Sequence, residues 1–156
     1  MLLISTDSLR GYGLNRIFEI AKEAQYDGID LFIDFSQYDT LNGEYIQKLI
    51  KESGIPVHSV CVPEQASAKK TTEIISMAKD IGAKVVIIQP PKIHEFKMTA
   101  WINKEIPKLR EKYFISIALE NAPAGTYFGF IPEHALSNTK DLRECKHIAL
   151  DTARIG

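Results

Sequence analysis

The sequence predicts an α/β fold, a parallel sheet wrapped by helices and about six strand–helix units long. Three observations predict it. Short apolar runs alternate with longer segments of helical period along the 156 residues, and parallel neighbours need such crossover connections. The last two runs each end in a carboxylate, Glu120 and Asp151, followed by loop-forming residues; the carboxyl ends of parallel strands are where such folds gather their chemistry. Neither a Gly-x-Gly-x-x-Gly nor a Walker loop occurs, so the phosphate cradle of the nucleotide-binding α/β folds is missing.

Each element has its own signal. Residues 2–6 form the first run, and a helix follows over 14–25, where Ile17, Ile20, Ala21 and Ala24 recur at three- and four-residue spacing. The second strand is 28–34. A helix over 43–53 places Tyr45, Ile46, Leu49 and Ile50 on one side and stops at Gly54. The third strand is 56–62, and a helix over 66–81 ends at Gly82 and feeds the β-branched run 84–89. Pro90 and Pro91 terminate that strand. A fourth helix, 97–112, carries Trp101, Ile102, Ile106 and Leu109, with Pro107 expected to kink or split it. Strand five spans 114–120. A loop rich in Gly and Pro through Pro132, a short helix at 139–144 and strand six at 147–151 complete the count.

A parallel (β/α) barrel of the TIM type fits this alternation best, in partial form, because eight units take about 250 residues. The expectation is therefore a single domain over 1–156 that lacks the last two strand–helix units. Formal net charge is −1, which gives no bulk attraction for nucleic acid or an anionic membrane. Two cysteines, Cys61 and Cys145, are too few for a disulfide scaffold and form no CxxC. No apolar run approaches the roughly 20 residues of a membrane span, and the amino terminus lacks a basic leader. A cytoplasmic protein is expected.

Strand alternation sorts the candidates. Counting back from Glu120 puts Ala118 and Ser116 on its face and Ile115, Ile117 and Leu119 on the other. Likewise Asp151 shares a face with Ala149 and His147, Gln89 with Ile87 and Val85, Cys61 with Ser59 and Val57, and Asp34 with Phe32, Asp30 and Gly28. Large aliphatics then pack under the helices. Asp34, Cys61, Gln89, Glu120 and Asp151 converge at the strand ends, where two acids could hold a metal ion. Other residues read as structural: His58 on the face opposite Cys61, His94 and His134 solvated in loops, though His134 could approach the rim, His147 at the wrong end of strand six, Lys69-Lys70 on a solvated helix face, and Cys61 a small buried thiol. Trp101 anchors helix four, whereas Tyr127, Phe128 and Phe130 are better placed for an aromatic sugar wall.

The runs Ala24-Gln25-Tyr26-Asp27-Gly28-Ile29-Asp30-Leu31, Gly54-Ile55-Pro56-Val57-His58-Ser59-Val60, Ile81-Gly82-Ala83-Lys84-Val85-Val86, Leu119-Glu120-Asn121-Ala122-Pro123 and Leu150-Asp151-Thr152 resemble, in that order, the xylose isomerase-like TIM barrels. That superfamily includes sugar-phosphate isomerases and epimerases, inosose dehydratases and type IV apurinic endonucleases. The resemblance implies that Glu120 and Asp151 are metal ligands and catalytic groups, and that Asp34, Cys61, Gln89, Asn121 and Arg154 bind substrate. Where many relatives have histidines, this chain has Cys61, Gln89 and, in Asp151-Thr152-Ala153-Arg154, an arginine. An ion held by Glu120, Asp151 and the Gln89 amide oxygen would have hard ligands that suit Mn²⁺ or Mg²⁺ better than Zn²⁺. The implied activity is isomerisation or epimerisation of a sugar or sugar phosphate by proton transfer beside a carbonyl. An endonuclease-type phosphodiesterase would need a zinc cluster and a basic groove. The competing reading is a truncated or degenerate, non-catalytic barrel acting in binding or assembly, whose open edges at strands one and six would favour homo-oligomers.

Overall fold

The computed structural model describes residues 1–122, 125–135 and 145–154. Its strands and helices alternate as β1 (Leu3–Ser5), α1 (Leu14–Glu23), β2 (Gly28–Phe32), α2 (Gly43–Ser53), β3 (Val57–Val62), α3 (Ala68–Asp80), β4 (Val85–Ile88), α4 (Phe96–Tyr113) and β5 (Ser116–Glu120). Two short strands, β6 (Thr126–Tyr127) and β7 (Ile131–Pro132), and then β8 (Ile148–Ala149) follow. Six strands pair in the order β1-β2-β3-β4-β5-β8, every pair parallel. The sheet curls into a half-barrel with helices outside it. Consecutive parallel neighbours joined by outer helices are the wiring that the alternation of runs requires.

Helix boundaries follow local chemistry. Asn42 Oδ1 accepts from the Tyr45 amide at 3.0 Å to start α2, and Gly54 at φ 77° ends it. Ser67 Oγ accepts from the Lys70 amide at 3.3 Å at the start of α3. The fourth helix runs through Pro107 without a break in its span. It closes on Phe114 at φ 50°, which removes that residue from β5 and leaves its ring in solvent.

The core lies between the outer face of the sheet and the helices. Ile29, Leu31, Val60, Val86, Ile117 and Leu119 pack from the strands against Phe18, Ile46, Ile74 and Ile106 from the helices. The alternation read from sequence holds on β2, β4 and β5, where the residues facing the other way are half-exposed except for Gly28 and Ala118. A register shift at Ile29/Asp30 interrupts it on β3. There His58 lies against Gly28: a Cβ on that glycine would meet the imidazole at 2.5 Å. At β8 the expectation fails differently, because Ile148 and Leu150 are exposed and no helix among the described residues covers them.

The loop after β5 has structure of its own. The β6 and β7 strands pair antiparallel across Phe128 and Gly129, both at positive φ, as a tight primed turn requires. Beyond the hairpin, the Ile93 amide donates to Glu133 O at 2.9 Å and the Ala135 amide to Pro91 O at 2.8 Å. This bridge folds the segment onto the loop after β4. The helix anticipated at 139–144 lies outside the described residues.

Candidate active site

Parallel pairing in register carries Glu120 and Asp151 to one rim. Leu119 pairs with Ile148 and Glu120 with Ala149, so Asp151 emerges just beyond the end of β5. Asn121 fixes this juxtaposition: its Nδ2 donates to Asp151 O at 3.0 Å, its Oδ1 accepts from the Asp151 amide at 2.6 Å, and its own amide donates to Ala149 O at 3.2 Å. A buried side-chain amide thus extends the β5–β8 ladder past the last paired residue. Both ends of that amide are spent on backbone, so Asn121 positions Asp151.

The cation between the two acids is Arg154. A short 3-10 turn, Thr152–Arg154, follows β8 and brings the guanidinium back over Asp151, with Nε 2.9 Å from Asp151 Oδ2. The same guanidinium donates through Nη1 to Glu120 Oε2 at 2.8 Å. All three side chains are about a quarter exposed: 17% for Glu120, 30% for Asp151 and 27% for Arg154. Burial pushes the Glu120 carboxyl above its ordinary range; Arg154 pulls it back, while Asp151 and Asp30 add to the rise. The direction set by burial, a carboxyl that holds its proton more tightly than in water, is the net result.

The remaining expected residues fall in three places. Gln89 and Arg154 line a hollow of about 230 Å³ with Glu64, Pro90, Lys92, Glu133 and His134. Glu64 lies 3.7 Å from Lys92 Nζ and 3.8 Å from His134 Nε2. Of the two positions open to His134, solvated loop or approach to the rim, the structure takes the second: it is buried at 9% exposure beside Gln89 and Arg154, because the pairing of 133–135 with the β4 loop draws it in, a bridge that no local sequence signal announces. Cys61 faces the interior wall, its Sγ 3.5 Å from Asp30 Oδ1, and Asp30 accepts from Ser59 Oγ at 2.5 Å. Burial, with Asp30 beside it, pushes the Cys61 thiol far up, so it stays protonated and a poor nucleophile. Asp34 turns to its own loop, accepting from the Ser36 amide at 2.8 Å and hydroxyl at 2.7 Å, which lower its pKa. Phe128 and Phe130, proposed for an aromatic wall, stand 88% and 76% exposed.

A divalent ion, the cofactor the resemblance implies, does not fit this arrangement. Arg154 engages both carboxylates, Asp30 is taken by Ser59, and the described residues hold no group of three His, Cys, Asp or Glu side chains suited to an ion. At the opposite end of the strands, Ser116 Oγ and His147 Nδ1 share a 2.6 Å hydrogen bond. Burial, with Arg110 and Lys146 nearby, lowers the His147 pKa.

Among the described residues, no helix is long and apolar enough to cross a membrane. No family model matches the chain, and no curated protein matches it significantly. Solved structures of similar fold include three. The 3-keto-D-glucoside 4-epimerase of E. coli superposes with a TM-score of 0.63 at 17% identity, over 88% of this chain and 62% of its own. A D-tagatose 3-epimerase-like protein gives 0.60 at 21% identity, over 79% and 54%. An uncharacterised protein from Parabacteroides distasonis gives 0.59 at 18% identity, over 78% and 52%. This chain thus spans less than two thirds of each. Its half-barrel shares the fold of these structures, a partial parallel α/β barrel of the TIM type.

Proposed function

We propose that this rim isomerises or epimerises a sugar or sugar phosphate by moving a proton on the carbon beside the carbonyl, with Glu120 as the group that moves it. One observation carries the reading: Glu120 sits at the carboxyl rim, buried enough for its pKa to rise, next to a fixed guanidinium. A carboxylate whose pKa is raised by burial is a stronger base than a solvated one, which suits it to accept and return a proton. Asp151 holds Arg154 in place. Gln89 and Lys92 in the adjoining hollow offer donors for hydroxyl groups, and Glu64 and Glu133 offer acceptors. One of the similar structures is named as a sugar epimerase and another as a sugar epimerase-like protein, which supports the substrate class. The Mn²⁺ or Mg²⁺ ion implied by the resemblance enters no step, since the side chains here do not fit it. The single-domain assignment over 1–156, a barrel short of its last two units, belongs to this proposal.

The test is solvent exchange. Incubated in D₂O with a panel of ketoses, aldoses and their phosphates, the protein should introduce deuterium beside the carbonyl of at least one, read by NMR. Glu120→Gln should slow that exchange by about 10²-fold or more. Absence of exchange across the panel would favour the non-catalytic binding or assembly module.

A further inference from the structure

We infer that Arg154 is the resident cation of the rim: its guanidinium takes the place between Glu120 and Asp151 that a divalent ion would have to occupy, and it supplies the positive charge of the site. The inference uses the two-acid rim described above but stands whether or not Glu120 moves a proton.

Three features carry it. The contacts are specific, with different nitrogens on different acids: Nη1 to Glu120 at 2.8 Å and Nε to Asp151 at 2.9 Å. A guanidinium carries five N–H donors in a rigid fork, so two directed bonds leave further donors for a ligand oxygen. The arrangement is also built rather than incidental. The 3-10 turn fixes Arg154 over Asp151 through the Arg154 amide to Asp151 O bond at 3.2 Å, and the buried Asn121 amide fixes Asp151 beside Glu120. Finally, the donor set is wrong for an ion. Cys61 keeps its proton, Asp30 is occupied by Ser59, and a cation placed between the acids would meet the charge of Arg154. On a sugar, that guanidinium would face the carbonyl oxygen and stabilise the negative charge that grows there as the neighbouring proton leaves.

Binding of Mn²⁺ alone, followed by loss of the free-ion EPR signal, tests this. The wild-type protein should bind Mn²⁺ weakly at this rim, Arg154→Ala should bind it about tenfold or more tightly, and Arg154→Lys should behave like wild type because the charge is kept. Adding Glu120→Gln to Arg154→Ala should abolish the gain. Equal binding by wild type and Arg154→Ala, including no binding by either, would overturn the inference. If the arginine variants do not fold, thermal unfolding of the wild type against Mn²⁺ decides: the weak site predicts a rise in Tm only at large Mn²⁺ excess, and a rise already present at stoichiometric Mn²⁺ that Glu120→Gln removes would overturn it. Loss of deuterium exchange with this pattern intact would sink the proton-transfer reading and leave the resident cation standing.

Discussion

The two faces of the curled sheet are made by the same strands and differ in almost everything else. On β4, Val86 and Ile88 point under the helices at 0% and 3% exposure, while their neighbours Val85 and Ile87 face the interior wall half-exposed. The outer face is uniformly aliphatic and holds the fold together. The inner face mixes Asp30, Ser59, Cys61, Gln89 and Glu120 among small and apolar residues, and its order comes from hydrogen bonds. Stability and chemistry are thus assigned to opposite sides of one element, so a substitution's effect depends more on its parity than on its residue type.

The sharpest way to break this comparison is a matched pair on β4. Ile88→Ala should destabilise by about 2–5 kcal/mol, since it empties a packed site, and Ile87→Ala by well under half of that, measured by urea denaturation. Equal losses would mean that the inner wall is covered in solution. Next in size is the brace at the β5–β8 edge. Asn121→Ala should cost about 1–3 kcal/mol by removing the two bonds that its side-chain amide makes to the part-buried Asp151 backbone, and it should raise hydrogen exchange at the Asp151 amide ahead of β2 or β3. Uniform loosening of the whole sheet would show that the edge is no separate unit.

The smallest effect concerns pH. Because the folded pKa of Glu120 is raised above its ordinary value, the native state holds this proton more tightly than the unfolded chain does. Its contribution to stability is full below the unfolded pKa, about 4.3, and is lost as pH rises through the folded value. Wild type should therefore lose Tm relative to Glu120→Gln as pH climbs from the ordinary carboxylate range toward neutrality. A difference between the two that stays constant with pH would show that Arg154 cancels the burial cost.

Much of the architecture was legible because it rests on local rules. The period of the apolar runs marked α1 to α4, Gly54 and Gly82 stopped helices where φ must turn positive, and the β-branched run marked β4. Phe114 misled, since an aromatic beside an apolar run reads as strand, yet here it closes α4 in the left-handed region. His134 read as solvated or near the rim because its burial depends on a bridge to residues some forty positions earlier. The hairpin at β6 and β7 was read as loop, since two-residue strands leave no alternation to detect.

The site divides along the same line. The sequence by itself determined that Glu120 and Asp151 end apolar runs, and that Arg154 follows Asp151 by three residues, a spacing that one tight turn converts into contact. Only the tertiary structure decided that Glu120 joins them, because that meeting needs β8 to pair in register with β5 and Asn121 to lace the two ends together. It also decided which cation stands between the acids. Spacing along a chain fixes contacts within a turn of backbone, whereas partners thirty residues apart are chosen by sheet register and by the side-chain bonds that this register brings within reach.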